Sequence, residues 1–180
     1  LKEEDPVFSF NKRIIDATLP YTVAYKPNLA FYESRGLKGM MSLKKTMDYL
    51  KTKRNECLLI ADGKRGDIGN TSKQYAKAYL SKEGDFDFDA LTVAPYMGKD
   101  SIEPFTIYQG KWVVVLALTS NEGANDFQFF ESHNNLKLFE KVMISVQDYT
   151  TNDNLMFVCG ATQAKMFIDI RLLAPNHFLL

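Results

Sequence analysis

The stretch ADGKRGDIGN, residues 61–70, places charged side chains of both signs directly after an apolar run. Asp62 and Lys64 are two residues apart, a spacing that puts both side chains on one face of an extended strand. Asp67 follows in a glycine-rich turn. Charge at the end of a buried strand is costly unless it is paired, solvated or used. A lysine held between carboxylates is suited to stabilise a developing carbanion and then to protonate it.

Polar side chains also follow other apolar runs. The run AYKPN supplies Lys26 and Asn28, ALTSN supplies Ser120, and CGATQ supplies Thr162. The carboxyl ends of parallel strands gather at one face of an α/β fold, where active sites form. We therefore expect Lys26 to reach the space around Asp62 and to complete a Lys–Asp–Lys cluster.

Apolar runs alternate with amphipathic segments along the whole chain. The runs predict six strands, at residues 21–28, 57–62, 89–96, 111–120, 155–161 and 177–180. The segments predict helices at residues 8–18, 36–53, 70–83, 99–109, 136–149 and 162–174. Nearly continuous apolar strands joined by helices indicate a parallel sheet that is covered by helices, either doubly wound or closed into a barrel.

The length favours the barrel. A (β/α)8 barrel typically needs ~250 residues, whereas this chain has 180, begins with Leu1 and ends on the apolar run HFLL. We expect an α/β fold of the (β/α)8 TIM-barrel type, with about six of the eight βα units present. Residues 1–180 are expected to form a single barrel domain that lacks about one unit at each end.

Composition narrows the possible partners and compartment. The 22 basic and 22 acidic side chains cancel, so the chain has no overall field for nucleic acid or an anionic membrane. Its longest apolar run, residues 112–118, is far too short to cross a bilayer. Cys57 and Cys159 lie in or beside apolar runs, which predicts buried free thiols in a reducing compartment, the cytoplasm.

The charged cluster by itself leaves two interpretations open. An isolated D-x-K-x-x-D pattern fits a structural salt-bridge cluster at a barrel rim as well as a catalytic array. Gly63, Gly66 and Gly69 do not have the spacing of a Walker phosphate loop. His133 and His177, the two histidines of the chain, fall outside these strand ends, so neither histidine catalysis nor a zinc site is expected.

The longer string ADGKRGDIGNTS closely resembles the signature of the orotidine 5′-monophosphate decarboxylase family, in the branch with an arginine after the catalytic lysine. The resemblance continues through VAYKPNLAFYES, DALTVAPYMGKDSIEPF, KWVVVLALTSN and MFVCGATQ, and so covers nearly all of the chain. It implies decarboxylation of orotidine 5′-monophosphate to uridine 5′-monophosphate (UMP) in de novo pyrimidine biosynthesis, with no metal or cofactor.

The resemblance also implies a role for individual residues. Lys64 is the expected proton donor to C6 of the pyrimidine, Asp62 is expected beside the departing carboxylate, and Lys26 in the charged network near the ribose. Asp67, Ile68 and Thr71 are expected to reach the partner's pocket in a homodimer with shared active sites. Ser120 is expected to hydrogen-bond the pyrimidine ring, and Asn28 to line the ribose end. The family's first-strand aspartate and its C-terminal phosphate-binding units are expected to lie outside this chain.

Two alternatives remain open from the sequence. One is a magnesium-dependent sugar-phosphate decarboxylase or aldolase of the same superfamily, which shares D-x-K-x-x-D; the extended KRGDIGNT and TSN strings argue against it. The other is a non-catalytic barrel fragment that acts as a dimerisation module.

Overall fold

Two units make up the chain in the computed structural model, which describes residues 4–150 and 154–180. The first unit comprises the residues up to 63 together with 77–91. The second comprises residues 64–76 together with 92–180. The residues implicated by the sequence are divided between them, since the border at residues 63 and 64 falls within the charged stretch.

The first unit packs helices against a pair of parallel strands. Its elements are α1 (Pro6–Thr18), a 3₁₀ turn (Leu19–Tyr21), β1 (Ala24–Tyr25), α2 (Ala30–Glu33), α3 (Gly36–Lys51), most of β2 (Leu58–Arg65), the end of α4 (Gly69–Leu80) and the start of β3 (Ala90–Val93). β1 pairs with β2 in parallel, with Ala24 opposite Leu58. The core is formed by fully buried apolar side chains, which include Leu29, Leu43, Met47, Leu59 and Leu80.

The second unit is centred on three parallel strands. After the remainder of α4 and β3 come a 3₁₀ turn (Lys99–Ser101), α5 (Glu103–Thr106), β4 (Trp112–Leu118), α6 (Ala124–Phe127), α7 (Leu138–Gln147), β5 (Leu155–Cys159), a 3₁₀ segment (Ala161–Met166), α8 (Phe167–Leu173) and β6 (Phe178–Leu179). β4 pairs with β5, and β5 with β6, both in parallel. Three consecutive residues of β4, Val113 to Val115, are fully buried, as in a parallel strand covered on both faces.

The strands lie in the sheet in chain order, from β1 to β6. In the residues that the structure describes, the prediction of six strands with helical segments between them is confirmed. Within each unit, parallel pairing brings the carboxyl ends of neighbouring strands to one edge. Lys26 follows β1 beside β2 in the first unit, and Ser120 follows β4 beside β5 in the second.

Several predicted boundaries were wrong. The strand predicted at residues 21–28 is regular only over β1, because Leu19–Tyr21 forms a 3₁₀ turn and Pro27 has no N–H to donate to a strand ladder. The helix predicted at residues 99–109 is divided at Ile102, and α5 starts with a proline in its first turn. β2 extends to Arg65, three residues beyond its predicted end at Asp62.

Asp5 fixes the start of α1, where Pro6 occupies the first turn. Its Oδ1 accepts hydrogen bonds from the Phe8 N–H at 3.0 Å and from the Ser42 hydroxyl at 2.8 Å. Its Oδ2 lies 3.3 Å from the Lys45 ammonium. Burial acts to raise the pKa of Asp5, but its hydrogen-bond donors outweigh burial and hold that pKa below the ordinary value of 3.8.

Replacing this cap should destabilise the protein in a pH-dependent way. Asp5→Ala should lower the free energy of unfolding at neutral pH by about 1 kcal/mol, whereas Asp5→Asn retains an oxygen acceptor and most of the stability. Because the folded-state pKa is lowered, the contribution of the charge is present above pH 3.8 and is lost as the pH falls through the folded-state pKa.

Urea unfolding at neutral and acidic pH measures both effects. The control is Asp48→Ala, which removes an exposed i,i+4 partner of Lys44 and should cost no more than about 0.5 kcal/mol. A deficit in Asp5→Ala that equals the control, or that is unchanged in acid, would contradict the assigned role of Asp5.

Candidate active site

A buried carboxylate lies in the carboxyl-terminal half of β2, in the part that belongs to the first unit. The Asp62 residue is 8% exposed, and its Oδ2 accepts a hydrogen bond from the Lys26 ammonium at 2.8 Å. The Lys26 side chain is 38% exposed, so the ion pair has one buried member and one member in contact with solvent. A charge this deeply buried needs an opposite charge and hydrogen bonds to be tolerated. The predicted pairing of Lys26 with Asp62 is therefore present.

The main chain of Asp62 is held between two residues of the segment after β1. Its N–H donates to the Pro27 carbonyl at 3.0 Å, and its carbonyl accepts from the Leu29 N–H at 3.1 Å. Asn28 lies between these two residues and forms an isolated parallel bridge with Asp62. Its Oδ1 accepts from the Ala30 N–H at 3.1 Å, at the start of α2. The first unit thus brings together three predicted residues: Lys26, Asn28 and Asp62.

Lys64 is the first residue of the second unit, and its backbone conformation is unusual. Its φ is +45°, in the left-handed region, which costs a residue with a side chain roughly 1–2 kcal/mol. The Lys64 N–H donates to the Thr92 hydroxyl oxygen at 2.9 Å, and the residue itself is exposed. Non-glycine residues held in such conformations cluster at functional sites.

The next two residues lie close to the end of β3. The Arg65 carbonyl accepts a hydrogen bond from the Ala94 N–H at 2.8 Å. A Cβ on Gly66 would come within 2.7 Å of the Ala94 carbonyl oxygen, so only glycine fits here without a shift of the main chain. The Arg65 guanidinium lies over the ring of Tyr75 on α4, 5.4 Å from its centroid.

Asp67 lies in the turn that leads into α4. Ser72, fully buried, bonds to both main-chain groups of Asp67: its oxygen accepts from the N–H at 3.1 Å, and its hydroxyl donates to the carbonyl at 2.7 Å. The Asp67 Oδ1 accepts from the Ile68 N–H at 2.7 Å. Ile68 is 62% exposed and Thr71 is exposed, so both are accessible on the described surface of the second unit.

Ser120 follows β4 in the second unit and is exposed. A Cβ on Gly160, just after β5, would lie 2.8 Å from the Ser120 nitrogen and 2.9 Å from its Cβ. The preceding residue, Thr119, donates its N–H to the Gln128 Oε1 at 2.7 Å and accepts from the Gln128 Nε2 at 2.8 Å. The loop that carries Ser120 is thus held from both sides.

The two cysteine thiols are not activated for catalysis. Cys57 and Cys159 are buried free thiols, as predicted. Burial raises the pKa of Cys57 and raises that of Cys159 to about 11, so neither is a thiolate at neutral pH.

In residues 4–150 and 154–180, no three His, Cys, Asp or Glu side chains form a group that could hold a metal ion. No helix of this described part is long and apolar enough to cross a membrane.

Two contributions were missed by the sequence reasoning. The side-chain direction of Lys64 was inferred from strand alternation, but alternation assumes an extended backbone and Lys64 has a φ of +45°. Thr92 and Ser72, which bond the main chain at Lys64 and Asp67, were not singled out. For Thr92 a signal was available in the sequence: it is a hydroxyl residue within the apolar run DALTVAPY, and a buried hydroxyl needs a hydrogen-bond partner.

A family model and curated proteins match most or all of this sequence. Residues 9–177 match the model of the "Orotidine 5'-phosphate decarboxylase / HUMPS family". The whole chain is 57% identical to orotidine 5′-phosphate decarboxylase of Phocaeicola vulgatus and 58% identical to that of Parabacteroides distasonis. It spans 65% and 63% of the length of these two relatives.

Solved structures agree with this relationship. OMP decarboxylase of Leishmania donovani superposes with a TM-score of 0.88 at 34% identity, over 96% of this chain and 66% of that one. Plasmodium berghei orotidine 5′-monophosphate decarboxylase gives 0.87 at 29% identity, over 99% of this chain and 59% of that one. The expected fold class, α/β of the (β/α)8 type, is confirmed, with six strands in residues 4–150 and 154–180. By its match to the family model and its curated relatives, the chain belongs to the orotidine 5′-phosphate decarboxylase / HUMPS family.

Proposed function

We propose that the whole protein containing this chain converts orotidine 5′-monophosphate to UMP and carbon dioxide in de novo pyrimidine biosynthesis, without metal or cofactor. One observation carries the proposal: a buried Asp62, paired with Lys26 at 2.8 Å, precedes Lys64 by two residues on β2, and Lys64 has a left-handed backbone. The identity of 57–58% over the 180 residues of this chain to proteins named orotidine 5′-phosphate decarboxylase supports the substrate.

The proposed chemistry uses the charges of side chains and one proton transfer from Lys64. The bond between C6 of the pyrimidine and its carboxylate breaks, carbon dioxide leaves, and the electron pair remains on C6. The Lys64 ammonium stabilises this charge and transfers a proton to C6, and the resulting amine regains its proton from solvent. Asp62 lies beside the departing carboxylate, where it disfavours the ground state, and the Lys26 ammonium, 2.8 Å from its Oδ2, holds the Asp62 side chain in place.

The other predicted residues are proposed to bind substrate. Ser120 hydrogen-bonds the pyrimidine, and Asn28 lines the ribose end. We propose that the protein is a cytoplasmic homodimer in which Asp67, Ile68 and Thr71 reach the partner's pocket. The exposure of Ile68 and Thr71 supports this, since such residues are available to a second subunit. We propose that residues 1–180 belong to a single barrel domain.

Decarboxylation by the whole protein should need no metal. Carbon dioxide release from orotidine 5′-monophosphate is measured after exhaustive dialysis against EDTA, with and without added magnesium. We expect equal rates, because the proposed charge array consists of side chains alone. A complete loss of activity that magnesium restores would instead favour the sugar-phosphate decarboxylase or aldolase, and a folded dimer without activity would favour the dimerisation module.

Mixed dimers test whether the active sites are shared. Lys64→Ala and Asp67→Asn homodimers should each lose at least the ~10²–10⁴-fold typical of a positioned acid or its partner. When the two variants are refolded together in equal amounts, random assembly makes about half of the dimers mixed. In each mixed dimer one pocket has both lesions and the other has neither, so activity should recover to about a quarter of wild type.

The composition of the mixture is verified by native mass spectrometry, and wild type taken through the same refolding sets the reference. If Asp67 served the pocket of its own chain, every pocket would carry one lesion. Confirmed mixed dimers without recovered activity would therefore rule out the cross-subunit role.

A further inference from the structure

The backbone at Lys64 sets where the proposed proton donor can reach. Lys64 is exposed, and its side chain leaves the chain at a residue with a φ of +45°. Loss of this conformation would redirect the whole side chain. Since misplacement by about 1 Å can cost ~10²-fold in rate, whatever holds the backbone here influences the reaction.

Thr92 makes the contact at the residue itself. It lies on β3 and is 1% exposed, and its hydroxyl oxygen accepts the Lys64 N–H at 2.9 Å. A β-branched residue on a strand has few rotamers, and burial restricts them further. The oxygen is therefore a fixed acceptor for the N–H of Lys64.

Two further contacts hold the residues that follow. The Ala94 N–H donates to the Arg65 carbonyl at 2.8 Å, and Gly66 lies against the Ala94 carbonyl so closely that a Cβ would be 2.7 Å away. These contacts restrain the chain after Lys64 but do not bond to Lys64. Ala94 makes its two contacts through its main chain, whereas Thr92 makes its contact through its side chain. A substitution of Thr92 can therefore remove that contact selectively.

We propose that Thr92 is a positioning residue for the decarboxylation: its hydroxyl holds the Lys64 main chain in the left-handed conformation that aims the ammonium at C6. The inference rests on the proposed function, because it gives Lys64 the role of proton donor. Thr92 itself does not touch the substrate in this account and acts through Lys64.

Thr92→Val removes the acceptor and keeps the branched shape, whereas Thr92→Ser keeps the hydroxyl and removes a methyl group. In the whole protein, Thr92→Val should lower kcat about tenfold or more and leave KM within about twofold, because protonation is impaired while substrate contacts remain. Thr92→Ser should keep kcat within about threefold of wild type. Assays are run well below the melting temperature of each variant.

Thr106→Val is the matched control. Thr106 is also buried, at 4% exposure, and its hydroxyl donates to the Glu103 carbonyl at 2.9 Å on α5. The substitution is chemically the same, but Thr106 has no role in the proposed site. We expect a kcat within about twofold of wild type, whatever happens to the melting temperature.

Hydrogen exchange at the Lys64 amide gives a readout that does not depend on activity. Exchange should accelerate in Thr92→Val and stay slow in Thr92→Ser. If wild type decarboxylates but Thr92→Val retains its kcat, or Thr92→Ser is equally impaired, the role of Thr92 is wrong and the proposed function stands. If wild type does not decarboxylate orotidine 5′-monophosphate, both proposals fail.

Discussion

The burial of the Asp62 carboxylate is the constraint on which the rest of the site depends. A charge at 8% exposure is tolerated because the Lys26 ammonium lies 2.8 Å away. The hydrogen bonds of both Asp62 main-chain groups to the segment after β1 fix the position of the residue. Asp62 directly follows the buried apolar residues Leu59 to Ala61 of β2. β1, the parallel neighbour of β2, ends at Tyr25, and Lys26 is the next residue, so its side chain can reach Asp62.

A second unfavourable feature, a strained backbone, occurs two residues after Asp62. Lys64 has a left-handed backbone, which costs roughly 1–2 kcal/mol for a residue with a side chain. Bonds from Thr92 and Ala94 to the main chain at Lys64 and Arg65, together with the close approach of Gly66, oppose its relaxation. Strain that is held in this way preorganises a side chain, and a preorganised charge needs little rearrangement during reaction.

Sequence reasoning reached the fold class and the identity of the charged residues, because both depend on local patterns. Apolar runs predicted β2, β4 and β5 within a few residues, and the string around Lys64 was specific enough to indicate the family. It did not reach the conformation of Lys64 or the contact from Thr92, since a strand pattern implies extended backbone and the bonded residues are 28 apart in the chain. It also overestimated β1, where a 3₁₀ turn and Pro27 limit the ladder.

A crystal structure of the whole protein with bound UMP would test the central claim most directly, because the product carries the C6 atom that Lys64 is proposed to protonate. The account predicts the Lys64 Nζ within about 3.5 Å of C6, a separation from which transfer can occur. It also predicts that Lys64 keeps its positive φ. A Lys64 Nζ that points away from the ring, with another acidic group nearest to C6, would contradict the account.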